Sequence, residues 1–98
     1  MPSANYLILR KAIMEKLQIT CSYQGNYRVL CPHVLGTRGG VERVLCYLVG
    51  GGRASGLPSL GAWHCMVVSS MNNITTRMGS WHTGYPRPRC VDQVDVEM

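Results

Sequence analysis

The hydrophobic pattern of this chain changes its period once, between residues 17 and 18. Before that point Leu9, Ile13 and Leu17 recur at every fourth position, which is typical of one face of an amphipathic helix. After it, apolar and polar residues alternate in the run Gln-Ile-Thr-Cys-Ser-Tyr at 18–23, which predicts a half-buried strand. We therefore expect one short helix followed by a series of strands.

Four further strands are predicted from apolar runs bounded by turn-forming residues. Gly25-Asn26 supplies a hairpin turn after the first strand, and Pro32 is expected to end the second strand or to sit at its edge. Asn72-Asn73 is interpreted as a turn before the last strand. The predicted elements are a helix over about 5–17, strands over about 18–23, 27–32, 42–49, 62–68 and 74–78, and an irregular tail over 79–98.

The length of 98 residues is sufficient for one hydrophobic core, so a single domain over 1–98 is expected. A composition that is 46% hydrophobic and 15% charged is that of a globular domain, not of a disordered segment. The order of helix and short strands favours a mainly β (α+β) fold. We expect a small bent sheet or partly open barrel of about five strands, with one N-terminal helix.

Charge is distributed unevenly along the chain. Ten Lys and Arg residues and five Asp and Glu residues give a net charge of +5 at pH 7, but Asp92, Asp95 and Glu97 lie close together in the tail. The rest of the chain is therefore strongly basic, and the acidic tail could cover part of it. A basic body favours an anionic partner.

The cysteines are five in number, with no paired spacing and no secretory signal before them. Reduced thiols in a soluble, cytoplasmic protein are the interpretation that this favours. The longest apolar run, 44–49, is far shorter than a membrane helix, so no membrane association is expected. A structural zinc site typically shows ligand pairs with spacing such as C-x₂-C, which is not found for Cys31, His33, His64 and Cys65. No acidic residue is placed to orient a catalytic histidine. We expect no metal, no cofactor and no enzymatic activity.

Several segments taken together resemble the WYL domain. They follow the order of that family from an Ala-Ile helix, through an aromatic-ended strand and an Arg-x-x-x-Pro-His hairpin arm, to a hydrophobic strand with a Tyr and a Pro-Arg-Pro tail. The tripeptide that names the family is replaced here by Glu42-Arg43-Val44. The segments are Ala12-Ile13, Tyr23-Gln24-Gly25, Arg28 to Gly36, Val44 to Gly51, Trp63 and Gly84 to Arg89.

The resemblance implies an Sm-like or SH3-like β-barrel that acts without catalysis as a ligand-sensing module of bacterial regulators. In that setting Arg28 and His33 occupy the hairpin arm and, with Tyr23 and Tyr47, would line a groove for a phosphate or carboxylate. Arg43 is predicted as a further basic residue of this ligand-binding site. The expected function is recognition of a small anionic ligand or of a protein partner.

Two alternatives remain open at this stage. The first is a single-stranded nucleic-acid-binding barrel in which Arg77, Arg87 and Arg89 contact phosphates while Trp81 and Tyr85 stack on bases. The second is a self-assembling structural module, a homo-oligomer, whose exposed edge strands pair with another copy.

Overall fold

The computed structural model describes residues 3–51, 63–79, 81 and 88–97. One helix precedes six strands, and a short 3-10 turn at Val68–Ser70 joins the fourth strand to the fifth. The elements are α1 (Ala4–Glu15), β1 (Gln18–Tyr23), β2 (Asn26–Arg38), β3 (Val41–Gly51), β4 (Trp63–Val67), β5 (Met71–Arg77) and β6 (Gln93–Glu97).

Helix α1 is capped at both ends by its own sequence. The Ser3 hydroxyl accepts a hydrogen bond from the Tyr6 N–H and donates one to Glu42 at 2.6 Å, which fixes the start of the helix to β3. Lys16 adopts a left-handed conformation with φ 56°, and its N–H bonds back to the Ile13 carbonyl. The helix therefore ends two residues earlier than the pattern through Leu17 predicts.

The strands form one antiparallel sheet in the order β4-β3-β2-β1-β5. Strand β2 is long enough to have two neighbours on one side, because Asn26–Leu30 pairs with β1 and Val34–Thr37 pairs with β6. The sheet is strongly bent, since the Tyr23 hydroxyl of β1 lies 3.4 Å from the Val67 nitrogen of β4, although β2 and β3 lie between these two strands in the order. Within the described residues β4 and β5 do not pair, so the predicted mainly β fold with one helix is confirmed as an open sheet.

Two irregularities correct the predicted strand ends. Pro32 does not end β2, because the register with β3 shifts between Pro32 and Val34 and this bulge accommodates a residue without an N–H. Asn73 does adopt the positive φ of a turn residue, 54°, but it lies inside β5. There the pairing with β1 shifts between Thr20 and Ser22, so Asn73 belongs to a bulge and not to a turn.

Each face of the sheet has its own apolar layer. The inner face, toward α1, packs against Leu9 and Ile13, which are fully buried. The outer face carries a smaller cluster, covered by Cys90 and Val91 from the tail. The inner cluster also includes Ile19, Cys21, Leu30, Leu35, Val44, Cys46, Leu48, Met66 and Met71, and the outer one Val34 and Leu45 with Trp63 packed against them.

The prediction of an irregular tail is wrong for its last part, which forms β6 on the edge of β2. The approach of the two backbones requires Gly36, because a Cβ at this position would overlap the carbonyl oxygen of Gln93 and lie 2.9 Å from its carbonyl carbon. Asp95 of this strand accepts a hydrogen bond from the Tyr6 hydroxyl at 2.7 Å and lies 3.3 Å from Arg10. The acidic tail therefore does contact the basic body.

The prediction that every cysteine is a reduced thiol is also wrong. Cys65 of β4 and Cys90 of the tail form a disulfide, with Cα atoms 5.4 Å apart. The spacing of 25 residues between them gave no sequence signal, because the tail and β4 meet only in the folded chain. Cys21, Cys31 and Cys46 are outside the disulfide, and all three are buried.

Candidate functional site

A buried arginine lies on the inner face of the sheet. Arg28 of β2 is directly opposite Cys21 of β1, a member of the inner apolar cluster, so the two side chains share that face. Only 5% of Arg28 is exposed, and its Nε has no hydrogen-bond partner among the described residues. A guanidinium in such a place is costly unless it meets an anion or several acceptors.

Arg28 contacts the aromatic ring of Tyr23. The guanidinium carbon lies 5.4 Å from the centre of the Tyr23 ring, which is a cation–π arrangement. The Tyr23 hydroxyl accepts a hydrogen bond from the Val67 N–H, so the ring is held between β1 and β4. The structure thus brings together two of the five predicted ligand-binding residues.

His64 belongs to the same inner face, although the sequence analysis did not nominate it for ligand binding. It pairs with Cys46, another member of the inner cluster, and its Nε2 is buried with no partner among the described residues. Burial, and then the positive charge of Arg28, lower the pKa of His64 below 6.5. At neutral pH the ring is therefore uncharged and able to accept or donate a hydrogen bond beside the guanidinium.

Burial also makes the thiols of Cys21 and Cys46 on the inner face unreactive. Burial raises the pKa of Cys21 to about 11, against a smaller lowering by Arg28. Burial, followed by the neighbouring Cys21 and Cys31, raises the pKa of Cys46 well above its usual value. Both side chains therefore pack as small apolar groups and are not nucleophiles at neutral pH.

The predicted residues His33 and Tyr47 lie on the outer face and so do not join Arg28. His33 is 1% exposed, its Nδ1 lies 2.7 Å from the Cys31 carbonyl oxygen, and its ring contacts Trp63 and Trp81 at centroid distances of 4.8 and 4.9 Å. Tyr47 packs edge-on against Trp63 at 4.9 Å. These four rings form an aromatic cluster on the outer face.

Arg43 is separate from both groups. It lies on β3 beside Val44, whose side chain belongs to the inner cluster, so Arg43 is on the outer side, opposite Gly36 and Val67. It is half-buried, and its Nε has no hydrogen-bond partner among the described residues. Strand alternation thus places Arg43 and Arg28 on opposite faces, and the structure does not bring these two predicted residues together.

The residues predicted for the nucleic-acid alternative are only partly described. Arg77 is exposed at the end of β5, and Arg89 is exposed beside a groove of about 290 Å³ between the tail and β2. Trp81 contacts His33, and within the described part of the chain no ring contact joins Trp81 to either arginine. Tyr85 and Arg87 lie outside the described residues.

Sequence reasoning missed Trp63 and His64, because both depend on the register between β3 and β4. That register pairs Cys46 with His64 and Tyr47 with Trp63, one pair on each face. The alternation in Val44–Val49, once anchored to the inner cluster, is the signal that could have placed them.

Two searches of the described residues gave negative results. No group of three or more His, Cys, Asp or Glu side chains in this part of the chain is arranged to hold a metal ion. No helix found there has the length and apolar character needed to cross a membrane. Comparisons of the chain with protein-family models, with curated proteins and with solved structures gave no match.

Proposed function

We propose that this protein is a non-catalytic recognition module that binds a small oxyanion, a phosphate or a carboxylate, at Arg28 on the inner face. The observation that carries the proposal is a guanidinium that is 5% exposed and whose Nε has no partner among the described residues. An oxyanion would neutralise its charge and accept from its N–H groups in a bidentate manner.

The acidic residues support this proposal, because Asp95 and Glu42 both interact with other residues. Asp95 binds Tyr6 and Arg10, and Glu42 accepts two hydrogen bonds from Ser3. No ion pair joins Arg28 to an acidic residue in the described part of the chain. The charge of Arg28 is therefore left for an external anion to balance.

The neighbouring side chains define what kind of anion would fit. Tyr23 offers a ring face already occupied on one side by the guanidinium, and His64 offers an uncharged ring nitrogen. Together they provide one cationic fork and one neutral hydrogen-bonding group. This set suits a small, singly or doubly charged oxyanion better than a long polyanion.

Isothermal titration calorimetry with inorganic phosphate and with acetate tests the proposal. We expect at least one of the two anions to bind the wild-type protein. The same anion should bind Arg28→Met at least tenfold more weakly, and it should bind Arg77→Met with the affinity of the wild type. Arg77 is the matched control because it is exposed and lies on β5. Arg28→Lys retains the charge but not the planar fork, so intermediate affinity is expected.

Circular dichroism of each variant ensures that a loss of binding is not a loss of fold. Absence of binding by the wild-type protein to both anions would refute the proposal. Equal binding by wild type and folded Arg28→Met would place the anion elsewhere.

The resemblance to the WYL domain, and with it a regulatory role in a bacterial cytoplasm, is part of the same proposal. The mainly β fold with its N-terminal helix supports the resemblance, and the departure at Glu42-Arg43-Val44 counts against it. The disulfide between Cys65 and Cys90 counts against a reducing compartment, because stable disulfides are rare in the cytosol.

The other partner hypotheses stay predictions. Titration of fluorescent single-stranded RNA and DNA at two salt concentrations tests the nucleic-acid alternative, since phosphate contacts give affinity that falls steeply with salt. Size-exclusion chromatography with light scattering tests self-assembly and any stable protein partner. The dispersal of Arg77, Trp81 and Arg89 makes the nucleic-acid alternative the weaker one.

A further inference from the structure

The C-terminal segment 88–97 forms the cover of the outer face, and the disulfide is its covalent attachment there. Cys90 and Val91 are 2% and 5% exposed and pack against Val34 and Leu45. Two residues later β6 begins and pairs with the Val34–Thr37 part of β2. The bond from Cys90 to Cys65 joins this segment to β4, on the far side of β3.

We propose that Cys65–Cys90 is a redox-controlled latch that, when reduced, releases the segment 88–97 from the sheet while the remaining strands stay folded. The proposal is independent of anion binding at Arg28, because it concerns the opposite face.

The location of the two sulfur atoms makes the bond accessible to a reductant from one side. Cys65 is exposed, whereas Cys90 is 2% exposed. A dithiol attacks the Cys65 sulfur as a thiolate, the bond to Cys90 breaks, and Cys90 leaves as a thiolate that takes up a proton. The second thiol of the dithiol then displaces Cys65, so that two cysteine thiols and one oxidised dithiol result. A thiolate is disfavoured in an apolar cluster, which favours outward movement of Cys90 during the step.

The rest of the sheet does not depend on the segment. In the described part of the chain, the inner cluster is formed by α1 and the first five strands, and the half-buried Val96 of β6 packs against it. On the described residues, β1, β3, β4 and β5 have no register pairs with β6. Loss of the segment therefore removes one neighbour of β2, the outer cover and the contacts of Asp95 with Tyr6 and Arg10 of α1. It leaves the rest of the inner core in place.

The three cysteines outside the disulfide do not compete for the reductant or for new disulfides. Cys21, Cys31 and Cys46 are no more than 2% exposed. Cys65 is thus the one described cysteine that a dissolved thiol reaches directly. Reduction is expected to change the tail and not the core.

Hydrogen exchange followed by mass spectrometry, with and without dithiothreitol, tests the latch on the full chain. The bond closes a loop of 25 residues, so its removal is expected to raise exchange of amides in 91–97 and 34–37 by about 100-fold. The exchange rates of amides in 19–23 and 28–30 are expected to change by less than about threefold, which is on the order of the measurement error. Cys65→Ser/Cys90→Ser should exchange as the reduced wild type does and be insensitive to dithiothreitol.

Cys21→Ala is the matched control, because it removes a thiol and keeps the disulfide; it should respond to dithiothreitol as wild type does. Unchanged exchange in 91–97 after reduction would overturn the proposal, since the segment would be held without the bond. Exchange that rises throughout the chain would overturn it as well, because the bond would then support the whole fold. Intact mass after alkylation shows whether the bond is present, and its absence from air-oxidised protein would also overturn the proposal.

Discussion

Substitution of Gly36 is expected to detach β6 by steric overlap alone. The Cβ of an alanine would overlap the Gln93 carbonyl oxygen and lie 3.1 Å from the Val94 Cα, and both are backbone atoms that cannot rotate away. Relief of this overlap requires the two strands to separate. The four register pairs between β2 and β6, from Val34↔Glu97 to Thr37↔Gln93, would then be broken.

The cost of that separation follows from what β6 contributes. Loss of even two ladder hydrogen bonds, at about 1 kcal/mol each, and of the half-buried Val96, at about 1 kcal/mol, gives a total of about 3 kcal/mol. With a urea m-value of about 1.5 kcal/mol/M, Gly36→Ala should lower the unfolding midpoint by about 2 M.

The assay is urea unfolding of the oxidised protein, monitored by tryptophan fluorescence. Gly40→Ala is the matched control, because Gly40 has a φ of 79° and open space around its Cβ position. It should cost about 1 kcal/mol through backbone strain. If Gly36→Ala lowers the midpoint by no more than Gly40→Ala does, then the close approach of β6 does not contribute as we argue.

Two further predictions concern pH. Burial, and then the hydrogen bond to Asp95, raise the pKa of Tyr6 to about 12. Above pH 10 the tyrosine of the unfolded chain loses its proton before that of the folded chain, so the free energy of unfolding should fall with rising pH. Tyr6→Phe should remove that fall and, by deleting a charge-assisted hydrogen bond, cost about 1.5 kcal/mol at pH 7 in urea unfolding. The pKa of His64 is lowered, so the unfolded state takes up a proton first on acidification, and stability should decrease as pH falls below 6.5. His64→Gln should reduce this loss of stability, measured as the fall in the urea unfolding midpoint between about pH 7.5 and about pH 5.5. An unchanged fall in the midpoint would contradict the attribution to His64.

The strands that the sequence predicted well are those with simple alternation. The run at 18–23 coincides with β1, Gln18–Tyr23, because both faces of that strand have distinct surroundings. Strand β2 was predicted too short, because a bulge after Pro32 is decided by pairing with β3 and not by the local residues. Strand β6 carried a period-2 signal in Val94 and Val96 that the proline-rich neighbourhood obscured.

The candidate site was only half predictable. Tyr23 and Arg28 were expected to meet, and they do, because the hairpin between β1 and β2 is local. Arg28 and His33 are five residues apart on one strand, so simple alternation already places them on opposite faces, and the structure does so. His64 depends on a register between distant segments, which no local pattern specifies.

The two-part use of β2 also affects how the sheet is completed during folding. Its first half finds β1 through a tight local hairpin, whereas its second half pairs with β6, a strand separated from it in the sequence by three others. Contacts of such long sequence separation form late, since the intervening chain loses more entropy when its ends meet. Until then the edge at Val34–Thr37 is an open template for strand pairing. Crowded refolding mixtures should therefore lose material to aggregation at this step, and a peptide with the β6 sequence should reduce that loss.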